Sequence, residues 1–189
     1  MQEQEKQTAK GRDLYEWVQS LVGSVLVVVA IFTFVIRMMG VDGHSMLNTL
    51  QHGDRLLVVN SMLYHDYKYG DIVILRKNGV FDDDPIVKRV IAVEGQTVDI
   101  VYVDGEALEE DYIREPTYTA EGTEFPLTVP EGSIFVMGDN RNGSSDSRDY
   151  RLGTVDTRYV IGKAAFLIFP GPDYETEKRD FKRIGVIWS

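Results

Sequence analysis

The sequence predicts a mainly β domain, an antiparallel sheet that is barrel-like or sandwiched, preceded by one N-terminal transmembrane helix. Two patterns lead to this prediction. Residues 18–36 contain no charged side chain, and the rest of the chain alternates short Val- and Ile-rich segments with Gly, Asp and Asn. Runs of β-branched residues between turn formers are typical of strands. Such strands bury one face by closing or stacking a sheet.

The uncharged segment is long enough to cross a bilayer. As a helix it measures about 28 Å, close to the ~30 Å hydrocarbon core. A cleaved secretory signal is one alternative, but its apolar region is shorter and precedes a small-x-small site, whereas this run ends in IRMM. A buried helix of a soluble protein is the other alternative. We therefore expect a permanent anchor over residues 18–39.

Basic residues near the span predict its orientation. Three of them, Lys6, Lys10 and Arg12, precede it, and Arg37 alone follows closely. Cytoplasmic flanks carry the excess of Lys and Arg. We expect residues 1–17 in the cytoplasm and residues 40–189 outside it, as the catalytic domain.

The domain after the anchor is predicted to be a sheet with one excursion. No long amphipathic helical pattern occurs there, and the strand-like segments alternate with turn signals. The predicted strands are residues 55–60, 71–75, 86–93, 97–103, 133–137 and 161–169. The polar stretch of residues 104–130 contains DG, EG and prolines, which indicates a hairpin and loop insertion.

Composition argues against several classes of function. The chain has 189 residues, a formal net charge of -10 and no cysteine. An acidic chain lacks the clustered Lys and Arg that bind nucleic acid, and the absence of cysteine removes thiol chemistry and thiolate metal sites. The three histidines, at 44, 52 and 65, form no metal-binding pair. We expect no metal, no cofactor and no nucleic-acid partner.

A serine and a lysine are the residues that best suit catalysis. Ser45 follows Gly43, a residue that lets a strand approach closely, and it lies just past the anchor. Lys88 sits in the apolar segment IVKRVIAV. A lysine in a strand usually points to water, but burial would disfavour its charged form and let it accept a serine proton. Arg89 cannot do so, because a guanidinium stays charged.

The histidines offer an alternative base. His44 is adjacent to Ser45, and neighbouring side chains on an extended chain point to opposite faces. His52 or His65, with Asp54 or Asp71, could complete a Ser-His-Asp triad, although nothing in their spacing supports it.

The third polar element is GDNRNGSSDSR, residues 138–148. Its composition also suits an ordinary turn, and its acidic residues do not have the offsets of a calcium loop. The remaining interpretation is a polar network that holds a buried lysine in one rotamer.

Together these elements resemble the bacterial type I signal peptidases, which use a Ser-Lys dyad. The matching motifs occur in the family's order between about residues 15 and 170. They are the anchor, GHSMLNTL, DRLLVVN, YGDIVIL, VKRVIAVEGQTV, GDNRNGSSDSR and GKAAFLIFP. The resemblance implies a β-rich signal peptidase core with a variable insertion, Ser45 as nucleophile and Lys88 as general base. Gly43 occupies the place where some relatives carry an oxyanion-hole hydroxyl.

The resemblance also assigns supporting residues. Ser144 matches the serine that orients the lysine, and Asp146 with Arg148 matches a supporting ion pair. Two positions depart from the family pattern: Asn48 stands where proline is usual, and Arg151 near where glycine is frequent. Neither matches a residue that makes or breaks bonds.

The implied substrate is a secreted preprotein cut after small residues, of the A-x-A type. The implied setting is the bacterial cell membrane. By match to the family, the preprotein would bind as an extended strand beside residues 41–43 and 85–87. The residues expected to bind it are Val41, Asp42, Met46, Leu50, Pro85, Ile86 and Val87.

Three other functions remain open at this point. They are a membrane-anchored binding or assembly factor without turnover, a soluble Ser-Lys autoprotease, and a Ser-His-Asp hydrolase. The first two share the expected fold, and the third shares only the nucleophile.

Overall fold

The structure, a computed structural model, describes residues 2–117 and 122–187. By their contacts the residues divide into two units, Met1–Ile36 and Arg37–Ser189. In the first unit an α-helix, α1, runs over Gln2–Ala30 and continues as a π-helix over Ile31–Val35. Tyr15–Val35 has a mean hydropathy of 2.4 and is long and apolar enough to cross a membrane.

The C-terminal boundary of the predicted anchor differs from the structure. Residues 18–39 were expected to be one span, but the helix ends at Val35, and Ile36–Gly40 is a strand. The backbone turns extended at Ile36, with φ −128° and ψ 137°. Ile36 N–H still donates to Ile31 O, and the strand that begins at Ile36 neighbours Arg55–Asn60 in the large sheet, so strand pairing continues the chain where the apolar pattern predicted more helix.

Strands dominate the second unit. In chain order they are β1 Ile36–Gly40, β2 Arg55–Asn60, β3 Ile72–Leu75, β4 Ile86–Val93, β5 Thr97–Asp99, β6 Tyr102–Val103, β7 Glu106–Ala107, β8 Leu127–Thr128, β9 Ser133–Met137, β10 Val155–Asp156, β11 Val160–Phe169 and β12 Gly185–Val186. Short 3-10 helices cover Phe81–Asp83, Arg141–Gly143, Thr157–Tyr159 and Phe181–Arg183. The fold is mainly antiparallel β, which confirms the predicted class.

Most strands join one large sheet. Its order is β1-β2-β11-β3-β4-β9-β10, with β12 added beside β11. The pairings from β2 to β10 along this order are antiparallel. In β4, Lys88 lies opposite Val73 of β3 and Arg89 opposite Ile72, so the two basic residues project to opposite faces.

The insertion starts earlier than predicted. Residues 97–103 were expected to be one strand, but they form β5 and β6, which pair with each other across a turn at Ile100. These strands, with β7 and β8, make a second sheet of order β7-β6-β5-β8. The excursion was predicted over residues 104–130. In the structure it begins before residue 104, because the residues predicted as one strand at 97–103 belong to the same small sheet. Residues 118–121 of it lie outside the described residues.

Three hydrophobic clusters stabilise the domain. The first contains Val41, Met46 and Leu50 with residues of β2, β3 and β11. The second lies among β3, β4, β9 and β10, and the third joins β4 and β9 to the small sheet. Because the first cluster contains Met46 and Leu50, the segment around Ser45 is packed against the large sheet.

Candidate active site

The loop that carries Ser45 is fixed at both ends. Before it, Val41 N donates to Asp54 O at 2.9 Å, and Gly53 N donates back to Val41 O at 2.9 Å. Behind it, Leu50 N donates to Met46 O at 2.8 Å. Val41 before the serine and Met46 after it pack in the first hydrophobic cluster, whereas Ser45 itself is only partly buried. The loop therefore presents the hydroxyl while its neighbours hold the backbone.

Lys88 projects from the middle of the sheet toward this loop. Its Nζ donates to Ser45 Oγ at 2.9 Å, and Lys88 is only 3% exposed. A central strand limits its backbone freedom, and β3 and β9 flank it on both sides. This distance lies within hydrogen-bond reach, which proton transfer between a nucleophile and its base requires.

The polar loop after β9 is organised around one carboxylate. Asp146 accepts from Gly138 N at 2.9 Å and from Ser144 Oγ at 2.9 Å. Arg148 Nε and Nη2 donate to its two oxygens, each at 2.8 Å. Asp146 and Arg148 are both fully buried. A buried ion pair needs its remaining lone pairs satisfied, and the loop supplies those donors.

This polar loop contacts the serine loop directly. Asn140 N donates to Ser45 O at 3.0 Å, and its side-chain amide donates to His44 O at 3.1 Å. Gly138 lies in the same contact, where an added Cβ would overlap both Ser45 O and Ser144 Oγ. The polar loop thus fixes the backbone at the serine.

Arg89 forms a second buried pair behind the lysine. Its Nε and Nη2 donate to Asp139 at 2.8 and 2.7 Å, and Thr49 Oγ1 donates to the same carboxylate at 2.5 Å. Burial lowers the pKa of Arg89, but the hydrogen bonds and charge of Asp139 outweigh that effect and leave the pKa raised. The pair links β4, the polar loop and the serine loop.

A pocket of about 200 Å³ opens beside the end of β4. Asp42, Pro85 and Val87, three of the residues predicted to bind substrate, line it. The other lining residues are Met39, Gly40, Leu56, Ile74 and Asp84. Most of the residues that line it are apolar.

The remaining predicted binding residues are not among those that line this pocket. Val41, Met46 and Leu50 are buried in the first hydrophobic cluster, against which the lining residue Val87 packs. They therefore form the layer behind the pocket instead of its surface. Ile86 packs against the second cluster, because adjacent strand residues face opposite ways.

Comparison with known proteins identifies the family. Residues 14–169 match the family model described as signal peptidase, peptidase S26. The chain is 38% identical over 179 residues to a signal peptidase I of Bacillus licheniformis, which covers 88% of this chain and 95% of the relative. It is 42% identical over 142 residues to a probable signal peptidase I-1 of Synechocystis, which covers 69% of each. A solved signal peptidase I from Enterococcus faecalis V583 is 31% identical, with a TM-score of 0.41, and covers 52% of this chain and 96% of that structure.

The chain belongs to the signal peptidase S26 family. The resemblance inferred from its motifs is confirmed, and the chain is a serine peptidase, a hydrolase. Among the side chains described in this S26 peptidase, those of residues 15–117 and 122–187, no group of three or more His, Cys, Asp and Glu could hold a metal ion.

The histidines of this S26 peptidase contact other partners. His52 Nδ1 lies 3.1 Å from Asp42 and accepts from Gly43 N at 3.3 Å. His44 stacks on His52 with ring centroids 6.0 Å apart, and His65 Nε2 lies 3.1 Å from Met62 O. These contacts give a Ser-His-Asp arrangement no support.

The two residues that depart from the family pattern, Asn48 and Arg151, are both exposed. Asn48 is exposed between two buried leucines. Arg151 donates from Nε to both oxygens of Asp149 at 3.0 Å. That hydrogen bonding lowers the pKa of Asp149. Arg151 thus forms a local ion pair with Asp149, two positions before it in the chain.

Sequence reasoning missed Arg89, Asp139 and Glu110. Arg89 lies in the same apolar segment as Lys88, but the sequence excludes it only as a base and predicts no other role for it. Asp139 lies in the GDNRNGSSDSR motif, and the resemblance assigns it no role. Glu110 binds Arg141, thirty-one positions away, and nothing local in the sequence indicates that pairing.

Proposed function

We propose that this chain is a membrane-anchored endopeptidase that removes N-terminal signal peptides from secreted preproteins, with Ser45 as nucleophile and Lys88 as general base. The observation that carries the proposal is the 2.9 Å contact between Lys88 Nζ and Ser45 Oγ, made by a lysine that is 3% exposed. Removal from water disfavours the ammonium form of an amine, and a neutral amine can accept the serine proton.

The first half of the reaction forms an acyl-enzyme. Ser45 Oγ bonds to the scissile carbonyl carbon as its proton passes to Lys88 Nζ. The C–N bond then breaks, and the amine leaves with that proton. Backbone N–H groups of the serine loop stabilise the oxyanion, and one lost donor in comparable sites costs about 3 kcal/mol. Gly43 brings no side-chain donor, so the hole depends on backbone groups such as Ser45 N–H.

The second half hydrolyses the ester. Neutral Lys88 takes a proton from water, the hydroxide oxygen bonds to the acyl carbon, and Ser45 Oγ leaves and regains a proton from the ammonium. The mechanism requires Ser144, Asp146 and Arg148 only as support. Asp146 organises the loop that contacts the backbone of Ser45. No metal or cofactor takes part in these steps.

The specificity proposed is for small residues one and three positions before the cut. An extended substrate would add as a strand beside residues 41–43 and 85–87. The pocket of about 200 Å³ formed by Asp42, Pro85, Val87 and their neighbours is the proposed site for one of these side chains. Val41, Met46 and Leu50, which share the first hydrophobic cluster with Val87, would shape it from behind.

The anchor proposed is the Tyr15–Val35 helix. Its side chains from Tyr15 on are mostly exposed, as expected for a surface that meets lipid. A cytoplasmic N-terminus with the catalytic domain outside the bacterial cell membrane follows from the basic residues before it. Confinement of enzyme and preprotein to one membrane raises their effective concentration.

A cleavage assay with matched variants tests the dyad. We expect the full chain in detergent to cut a preprotein at an Ala-x-Ala site, and Ser45→Ala and Lys88→Met to lose more than about 10³-fold in rate, as triad knockouts do. Lys163→Met is the control, because Lys163 is also buried and lies on β11, which is separated from the strand of Lys88 by β3. It should keep the wild-type rate.

The pH profile supplies a second test. Because only the neutral amine accepts a proton, kcat/KM should rise with pH along a single titrating limb. A flat profile from neutral to alkaline pH, or full activity in Lys88→Met, would rule out Lys88 as the base.

A further inference from the structure

One segment of the insertion packs on the back of the site. Residues 109–117, here called the strap, contact the polar loop at several points. Both guanidinium Nη atoms of Arg141 donate to the carboxylate of Glu110. Arg141 Nη1 also donates to Thr117 Oγ1 at 3.2 Å, and Asn142 donates to Pro116 O at 3.1 Å. The side chains of Arg141 and Glu110 are 0% and 5% exposed, so this pairing is buried.

The strap also covers Arg89. The guanidinium carbon of Arg89 lies 3.9 Å from the ring centroid of Tyr112. The Tyr112 hydroxyl donates to Glu110 at 2.8 Å and lies 3.1 Å from the hydroxyl of Tyr69. Burial, the bond to Tyr69 and the charge of Glu110 raise the pKa of Tyr112, which keeps its hydroxyl protonated as a donor.

Two of the strap contacts lead toward the dyad, one through Arg89 and one through Arg141. Arg89 is the strand neighbour of Lys88. Arg141 Nε donates to Gly138 O at 3.2 Å, and the next loop residues bind Ser45, since Asn140 N donates to Ser45 O. Glu110 therefore binds directly to Arg141, the cation beside the serine loop. It is linked to Arg89, the cation beside the lysine, through Tyr112.

We propose that Glu110 is a positioning residue for the Ser45–Lys88 dyad, and that Tyr112 orients it. This inference rests on the proposed function. The strap acts by holding Arg141 and Arg89 in place, and it does so without contacting the substrate.

Charge explains why the loop would depend on Glu110. Among the described contacts, Asp139 neutralises Arg89 and Asp146 neutralises Arg148, which leaves Glu110 as the carboxylate on Arg141. A buried guanidinium without a carboxylate is strongly unfavourable. Without Glu110 the Arg141 side chain would move toward water, and its bond to Gly138 O would be lost with it. The backbone at residues 138–140, which fixes Ser45, would then shift.

The experiment compares two isosteric changes in the strap. Glu110→Gln keeps the size of the side chain but presents only one acceptor to the guanidinium fork. Glu115→Gln makes the same change in charge at an exposed position. With the full chain in detergent and a fluorogenic peptide containing one Ala-x-Ala site, we expect Glu110→Gln to lower kcat about 10- to 100-fold with KM within about twofold. Glu115→Gln should match wild type in both.

Two further variants separate positioning from stability. Tyr112→Phe keeps the ring on Arg89 and removes only the hydroxyl that binds Glu110, so kcat should fall by less than in Glu110→Gln while the fold is retained. Val155→Ala cuts into the second cluster, away from the strap. It should lower the melting temperature with kcat unchanged, which shows that lost stability alone does not reduce turnover.

The outcomes are distinguishable. If wild type cleaves the peptide and Glu110→Gln and Tyr112→Phe both behave as Glu115→Gln does, the positioning role is wrong and the proposed function stands. An equal loss of kcat in Val155→Ala would also overturn the role. If the wild-type chain fails to cleave any signal peptide, the proposed function fails and the inference fails with it.

Discussion

At the scale of single residues, the site depends on a close approach that only glycine permits. Gly138 lies where the polar loop meets the serine loop, and a methyl group there would overlap Ser45 O and Ser144 Oγ. We expect Gly138→Ala to separate the two loops and to lower kcat about 100-fold, the loss that a 1 Å misplacement can cause. Steady-state cleavage of a preprotein measures it.

Gly105→Ala is the matched control for this change. Gly105 has a φ of +83° and open space around it, so the substitution strains the backbone by about 1–2 kcal/mol without touching the site. A preserved rate in Gly138→Ala, or an equal loss in Gly105→Ala, would contradict the role given to the close approach.

The ion pair at Arg151 should contribute stability that depends on pH. The hydrogen bonds of Arg151 lower the pKa of Asp149. A depressed carboxyl pKa stabilises the fold above its unfolded value of about 4 and loses that contribution as the pH falls through the folded value. Because Arg151 is largely exposed, we expect Arg151→Met to lower the free energy of unfolding by about 1 kcal/mol or less at pH 7.

Urea unfolding at two pH values checks this expectation. The difference between Arg151→Met and wild type should shrink as the pH falls from about 4 through the lowered pKa of folded Asp149, because the protonated carboxyl no longer attracts the guanidinium. A difference that is constant with pH would assign the effect to packing and not to the charge of Asp149.

The residues that sequence could predict are those whose chemistry is local. Ser45 and Lys88 stood out because a small-residue loop and a basic residue in an apolar strand are visible within a few positions. Asp139 and Glu110 depend on partners 50 and 31 positions away. Their roles come from the tertiary pairing of β4, the polar loop and the strap, which no local pattern encodes.

At the scale of elements, alternation predicted the long strands and failed on the short ones. Three of the predicted strands, 55–60, 86–93 and 133–137, have the bounds of β2, β4 and β9. They are central strands with a buried face, where side-chain pattern and packing agree. β6, β7 and β8 have two residues each, too few for a period. β1 was assigned to the anchor because its residues continue the apolar run.

The buried lysine of β11 should stabilise the sheet without serving the reaction. Lys163 lies 2.6 Å from Asp71, just before β3, and both side chains are nearly buried. Tyr64 accepts from Lys163 at 3.2 Å and donates to Asp71 at 2.7 Å. Lys163→Met leaves the Asp71 carboxylate buried beside a neutral residue. We expect the free energy of unfolding to fall by about 3 kcal/mol, measured by urea denaturation.

A double-mutant cycle tests that interpretation. Asp71→Asn removes the charge left behind, so Lys163→Met with Asp71→Asn should recover much of the loss, because replacing both partners of a buried pair is often near neutral. Purely additive losses would show that the pairing is not what stabilises β11 against β3.

At the scale of the whole molecule, the chain has two units that treat their apolar residues differently. The Tyr15–Val35 segment is mostly apolar and exposed, whereas the second unit buries its apolar residues in three clusters of its own. The contact between Lys88 Nζ and Ser45 Oγ lies within the second unit. Membrane attachment and peptide-bond chemistry should therefore be separable in one chain.

Two charges in the span should show this separation. A charged residue at the centre of a membrane helix costs about 2.5–3.5 kcal/mol on insertion scales, so Val25→Arg with Val28→Arg should release the chain from membranes under alkaline extraction. Met62→Arg with Leu63→Arg adds the same charge at exposed sites of the second unit and should leave the chain membrane-bound.

Both variants should cut a soluble Ala-x-Ala peptide at the wild-type rate, because neither changes the Ser45–Lys88 contact. Only the span variant should process a membrane-inserted preprotein slowly, since it loses confinement with its substrate. If the span variant stayed in the membrane fraction, or lost activity on the soluble peptide as well, the helix would not be a separable anchor.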